Sequence, residues 1–279
     1  MTLHFFRQLS ILTFDELKEL FFRKRALFAL IMYAGTLILF FWGLAESKEA
    51  AGGFISTLDL PLAQKALLQQ SMENFLMPSE WVQKIPIFKV PLPLLIYFFI
   101  SVSSLPFLIP MISCDMISLD LFRGTQRFLL FRVTRASYFF SKTLAHFLLY
   151  FILQLVILVC IIIYCAYNGM SVFSLLFIKS SLNLTVRVIP LIFLFISFTQ
   201  MISSQVKSPV KSLIINNFGL LIMMIILAVK PYLSFFYKPL WTGLFSFQIK
   251  EVLMSMTGMS LWGVLFMAIS FTLFWRKKL

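Results

Sequence analysis

FFSKTLAHFLLYFILQLVILVCIIIYCA, Phe139 to Ala166, carries one charged side chain, Lys142, near its start and then runs apolar to its end. Such a stretch exceeds the ~20 residues needed to cross a bilayer and reads as a membrane span. The rest of the chain agrees. Of 279 residues, 60% are hydrophobic and 13% charged, against roughly 45–50% and about 25% in soluble domains. Polar surface this scarce could not cover an aqueous core, so the excess apolar surface must face lipid. The 34 phenylalanines point the same way, because Phe is favourable at the centre of a membrane helix. The chain reads as an all-α polytopic membrane protein.

Working outward, the hydropathy pattern predicts six spans, at 26–45, 94–114, 139–166, 186–204, 211–229 and 258–275. The fourth gives the weakest signal, because Lys179, Asn183 and Arg187 interrupt the apolar run beginning near Val172. Residues 172–185 are accordingly predicted as an external or re-entrant helix leading into it. Six spans put both termini on one side. With the termini inside, the inner segments hold 15 of the 24 basic and five of the 11 acidic residues. The positive-inside rule therefore predicts cytoplasmic termini. It also accounts for the net charge of +13 without a nucleic-acid partner.

Residues 5–22 form a predicted amphipathic helix in the plane of the interface. Phe6, Leu9, Thr13, Leu17 and Leu20 fall on one face, and Arg7, Asp15, Lys18 and Glu19 opposite. About 25 residues of mixed charge precede the first greasy run, which argues against a cleavable signal. The loop 46–93 is the longest polar segment and is predicted to pack as short external helices. The segment 230–257 reads as an aromatic, half-polar external stretch of the headgroup zone. Cys114, Cys160 and Cys165 lie in or beside apolar segments, which leaves no disulfide framework.

Chemistry-bearing patterns are sparse. No phosphate-cradling G-x-x-x-x-G-K-[ST] occurs, no G-x-S-x-G elbow, and no Cys/His group with metal-ligand spacing. No catalytic or metal-ligating residue is therefore assigned, and no cofactor in this chain. The predicted span interiors hold no acid, although a proton- or sodium-driven carrier would want a carboxylate at depth. Polar residues that could mark a substrate path are His146 on the third span, with Asn183 and Arg187 four residues apart near the fourth.

One basic island interrupts the apolar pattern: DMISLDLFRGTQRFLLFRVTR, Asp115 to Arg135. Glycine in a helix interior costs about 1 kcal/mol relative to alanine, so the helix is predicted to break or kink at Gly124-Thr125. On a wheel, Asp120, Arg123 and Arg127 share one side, while Leu119, Phe122, Leu129 and Val133 share another. Such a face suits docking into a groove on another protein.

The order of residues here, Asp120, Gly124-Thr125, Leu129-Leu130, Arg135 and then Lys142, resembles the segment between the second and third spans of ABC-2 type transporter permeases. The opening is similar too, with Lys18-Glu19-Leu20 and then Arg23-Lys24-Arg25 closing the amphipathic helix. The chain departs in having Asp120 where Glu is commoner, and Arg132 where the family usually has proline. The first external loop is also long for the family.

The resemblance implies a homodimeric permease of the bacterial cytoplasmic (inner) membrane, bound to two cytoplasmic ATPase subunits that hold ATP and Mg. In that setting 115–135 would be a cytoplasmic coupling helix between the second and third spans, with Asp115, Asp120, Arg123, Gly124, Thr125, Arg127, Leu129, Leu130, Arg135 and Lys142 as coupling residues. Asp120 would pair or cap at the contact, Gly124 would allow the close turn, and Leu129-Leu130 would supply the docking face. Arg135 and Lys142 would anchor the segment to headgroups or to the ATPase. The loop 46–93 could meet a periplasmic partner. The competing expectation is a non-transporting membrane scaffold or assembly factor that recruits cytoplasmic proteins.

Overall fold

The computed structural model describes residues 2–22, 31, 35, 92–167, 172–229 and 249–277. Most of the span expected at 26–45, of the loop 46–93 and of the segment 230–257 lies outside these residues. The regular elements among the described residues are all α-helices. They are α1 (Thr2–Phe22), α2 (Leu92–Ser113), α3 (Ser118–Arg123), α4 (Thr125–Leu130), α5 (Arg135–Tyr167), α6 (Leu175–Gln205), α7 (Pro209–Val229) and α8 (Ile249–Arg276).

Four stretches of the described residues are long and apolar enough to cross a membrane: Ile100–Arg123, Arg135–Tyr167, Phe177–Gln205 and Ile249–Arg276. Their outward faces keep the apolar character a bilayer requires. Leu155, Val156, Val159 and Ile163 are exposed along α5, and Leu261, Val264 and Leu265 along α8. The second, third and fifth expected spans coincide with α2, α5 and α7 to within a few residues.

Two expectations need correction. Residues 175–185 do not form a separate external or re-entrant helix, because α6 runs unbroken from Leu175 to Gln205. Its start is capped by Ser174, whose hydroxyl accepts the Phe177 amide at 3.3 Å, as an N-cap serine does. The polar residues that suggested an interruption are absorbed within the helix: Arg187 Nε donates to Asn183 Oδ1 at 3.1 Å, one turn back. Residues 249–257, read as part of an external segment, are the first turns of α8.

The core is a bundle centred on α6, which packs against α8, α2 and α5. The α6–α8 contact is the most extensive, and Gly263 makes it possible. A Cβ built there would sit 2.5 Å from Phe193 Cδ1 and 2.7 Å from Cε1, so the Phe193 ring lies directly on the α8 backbone.

Helix α2 carries Pro106 and Pro110 in its interior, and proline removes backbone hydrogen bonds that neighbouring helices must replace in an apolar medium. Tyr150 of α5 ties down the end of α2 that follows Pro106. Its Oη lies 3.2 Å from the Ile109 carbonyl and 3.0 Å from Ser113 Oγ. Further along, Ser101 Oγ donates to Gln154 Oε1 at 2.8 Å, joining α2 to α5. Thr143 Oγ1 donates to Gln200 Oε1 at 2.7 Å, joining α5 to α6. Side-chain hydrogen bonds of this kind tie membrane helices together.

Candidate functional site

The island 115–135 folds as an elbow at one end of the bundle. Helix α3 ends at Gly124, whose φ of 72° is left-handed, and α4 starts directly after it. Glycine takes that conformation without the penalty a Cβ would bring. The break at Gly124-Thr125 is thus where the sequence places it.

Beneath the elbow three helices converge on one ammonium group. Lys142 Nζ of α5 is 2.5 Å from Glu16 Oε2 of α1 and 3.0 Å from Asp120 Oδ2 of α3. The side chains of Lys142 and Glu16 are 7% exposed and that of Asp120 is 14% exposed. Tyr138, one turn before Lys142, donates its hydroxyl to Asp120 Oδ2 at 2.6 Å. Its ring stacks on Phe274 of α8 and lies 5.6 Å from the Lys142 ammonium. The other Asp120 oxygen, Oδ1, accepts from Thr125 Oγ1 at 3.2 Å, across the break. Asp120 therefore joins the hinge residue to the buried ion cluster.

A second attachment lies at the base of α3. Ser203 Oγ of α6 accepts the backbone amides of both Ile117 and Ser118 at 3.0 Å, two of the donors that a helix start leaves without intrahelical partners. Met116, Ile117 and Ser118 are fully buried. The elbow is thus held by α1, α5 and α6 together.

The remaining residues singled out in the sequence divide into those turned inward and those turned out. Asp115 is buried in the turn after α2. Arg123 is exposed at the end of α3, and Arg127 belongs to α4. Leu129 and Leu130, expected to supply the docking face, are half-buried against the core. The outward apolar groups are instead Phe122 at 69%, Phe128 at 75% and Phe131 at 88% exposure, with Arg123 and Arg132 exposed beside them. A single wheel drawn through 119–133 fails because the left-handed residue at Gly124 resets the facing of α4 relative to α3.

Arg135 and Lys142, expected to anchor the segment to headgroups or to the ATPase, both meet other helices of this chain. Arg135 Nη1 donates to the Trp275 carbonyl at 2.9 Å and its guanidinium lies over the Trp275 ring, which fastens the start of α5 to the end of α8. Lys142 is the centre of the buried cluster. His146 is buried, with Nδ1 2.9 Å from the Lys142 carbonyl. It lies one turn from Thr143, which meets Gln200, whereas Arg187 is about 20 Å further along α6 at 1.5 Å per residue. His146 and the Asn183–Arg187 pair therefore stand at different levels of the bundle.

Glu16 is the member of the cluster that the sequence reading passed over, having counted it only among the inner charges. Its periodicity gives the signal: Leu9, Thr13, Glu16 and Leu20 follow four-, three- and four-residue steps on the inward face of α1. An acid on the apolar face of an interfacial helix asks for a cation on whatever covers it. No family model and no curated protein matches this chain.

Proposed function

We propose that this chain is the permease subunit of an ATP-binding cassette complex in the bacterial cytoplasmic membrane. It would move a substrate or transmit force across the bilayer, using ATP hydrolysed with Mg by two separate cytoplasmic ATPase subunits. In this reading the chain has six spans with both termini in the cytoplasm, and pairs with a second copy. The observation that carries it is the elbow itself. Three exposed phenylalanines flanked by arginines form a contact surface of the aromatic and Arg-rich kind that binding energy concentrates on. The same elbow is tied by Asp120 and Lys142 to the interior of α5, so a push on the surface reaches a membrane-spanning helix. The ordered set Asp120, Gly124-Thr125, Leu129-Leu130, Arg135 and Lys142 supports the family assignment.

The test is purification of the tagged chain with any ATPase encoded beside it, followed by hydrolysis assays in nanodiscs. The expected result is a stable complex, lost in Phe128→Ala/Phe131→Ala, and hydrolysis that depends on the permease. Recruitment of a cytoplasmic protein without ATP hydrolysis would favour the scaffold reading instead. Transport in vesicles without ATP or a partner would overturn the proposal.

A further inference from the structure

The two halves of the elbow are held very differently. Helix α3 is fixed at both ends: Ser203 Oγ takes its first amides, and Asp120 is bound by Tyr138 and Lys142. Helix α4 packs on α3 and lays Leu129 and Leu130 half-buried against the core, while Phe128 projects outward from it. The link across the break is the hydrogen bond from Thr125 to Asp120. Around Gly124 there is room, since a Cβ built there would meet nothing within 4 Å.

Gln126, in the first turn of α4, adds an independent observation. Its side chain is buried, at 1% exposure, and among the described residues neither Oε1 nor Nε2 has a hydrogen-bond partner. A buried amide with no partner carries its full desolvation penalty. Such groups are few in folded proteins, and each calls for an explanation in the fold.

We infer that α4 is a pivoting flap, hinged at Gly124 and latched to α3 by the Thr125–Asp120 hydrogen bond, whose lifting gives the Gln126 amide the partners it lacks when the flap is shut. Because Asp120 also binds Lys142, and Lys142 binds Glu16, the latch shares a carboxylate with the cluster that holds the interfacial helix. Displacing α1 would loosen the flap, and seating the flap would steady α1.

The experiment is double electron–electron resonance on the full chain in nanodiscs, without any partner. Spin labels go on Phe128→Cys and Lys211→Cys, both exposed positions, in a background with Cys114, Cys160 and Cys165 replaced by alanine. Two distance populations are expected. Gln126→Leu, which keeps the bulk and removes the amide, should shrink the open population about five- to thirtyfold and raise the melting temperature. Thr125→Val should enlarge the open population. One narrow distance that neither substitution alters would overturn the pivot, as would a lower melting temperature in Gln126→Leu. The measurement uses no ATPase, so a static elbow would leave the permease reading standing. A moving elbow in a chain with no ATPase partner would do the reverse.

Discussion

Replacing Lys142 with methionine tests the buried cluster most directly. The substitution keeps a long, unbranched side chain and removes the one ammonium that Glu16 and Asp120 share. Their nearer oxygens, Oε2 and Oδ2, lie 2.5 and 3.0 Å from Nζ, so they are no more than 5.5 Å apart, the sum of the two distances. Two carboxylates at that separation repel by about 3 kcal/mol at an effective dielectric constant of 20. Removing one partner of a buried ion pair costs about 3–5 kcal/mol in measured cases, which agrees with that figure. Against total stabilities of about 5–15 kcal/mol the loss is large. At roughly 2–4 °C per kcal/mol for chains of this order of size, the melting temperature should fall by about 6–20 °C. Tryptophan fluorescence in detergent reads it. The discriminating comparison is the fully neutral variant Glu16→Gln/Asp120→Asn/Lys142→Met, which should recover most of the loss, since replacing whole buried ion clusters is often neutral. A Lys142→Met protein that melts within 1 °C of the parent, or a neutral triple variant no better than the single one, would refute this account of the cluster.

Other substitutions probe the framework around it. Gly263→Ala should lower stability by about 1–3 kcal/mol through overpacking, and Phe193→Leu in the same chain should restore much of it in the same melting assay. Ser203→Ala leaves the Ile117 and Ser118 amides without their acceptor. A cost of about 1–3 kcal/mol and faster hydrogen exchange at 117–119 than elsewhere in the elbow are expected. Tyr150→Phe removes the hydroxyl beside the Ile109 carbonyl and Ser113, and should cost about 0.5–1.5 kcal/mol, with enhanced exchange confined to the second half of α2.

Hydropathy located the helices α2, α5 and α7 well because each is apolar over nearly its whole length, whatever it packs against. It went astray at the start of α6, where Lys179, Asn183 and Arg187 looked like an interruption. A helix tolerates such residues when each finds an exposed or paired position, as Arg187 does with Asn183. The break in the elbow was legible because glycine acts locally, through its own φ. Which face of α4 turns inward was not legible, since that depends on how a left-handed residue rotates one short helix on another. Hence Leu129 and Leu130 turn towards the core and Phe128 turns out. Lys142 and Asp120 were both singled out, yet the partner that completes their cluster lies over a hundred residues away on α1. Only the α1–α5 packing reveals that Glu16, Asp120 and Lys142 form one unit.

The contact between Gly263 and the Phe193 ring also has a consequence for descent. A ring lying on bare backbone leaves no volume for a side chain opposite, so the two positions form a single steric allotment split seventy residues apart. Lineages that acquire a methyl or larger group at 263 can keep the α6–α8 spacing only by shrinking the residue at 193, and a bulky residue at 193 holds 263 to glycine. These two positions should therefore change together across descendants of this chain, and do so more faithfully than either changes with its neighbours in sequence.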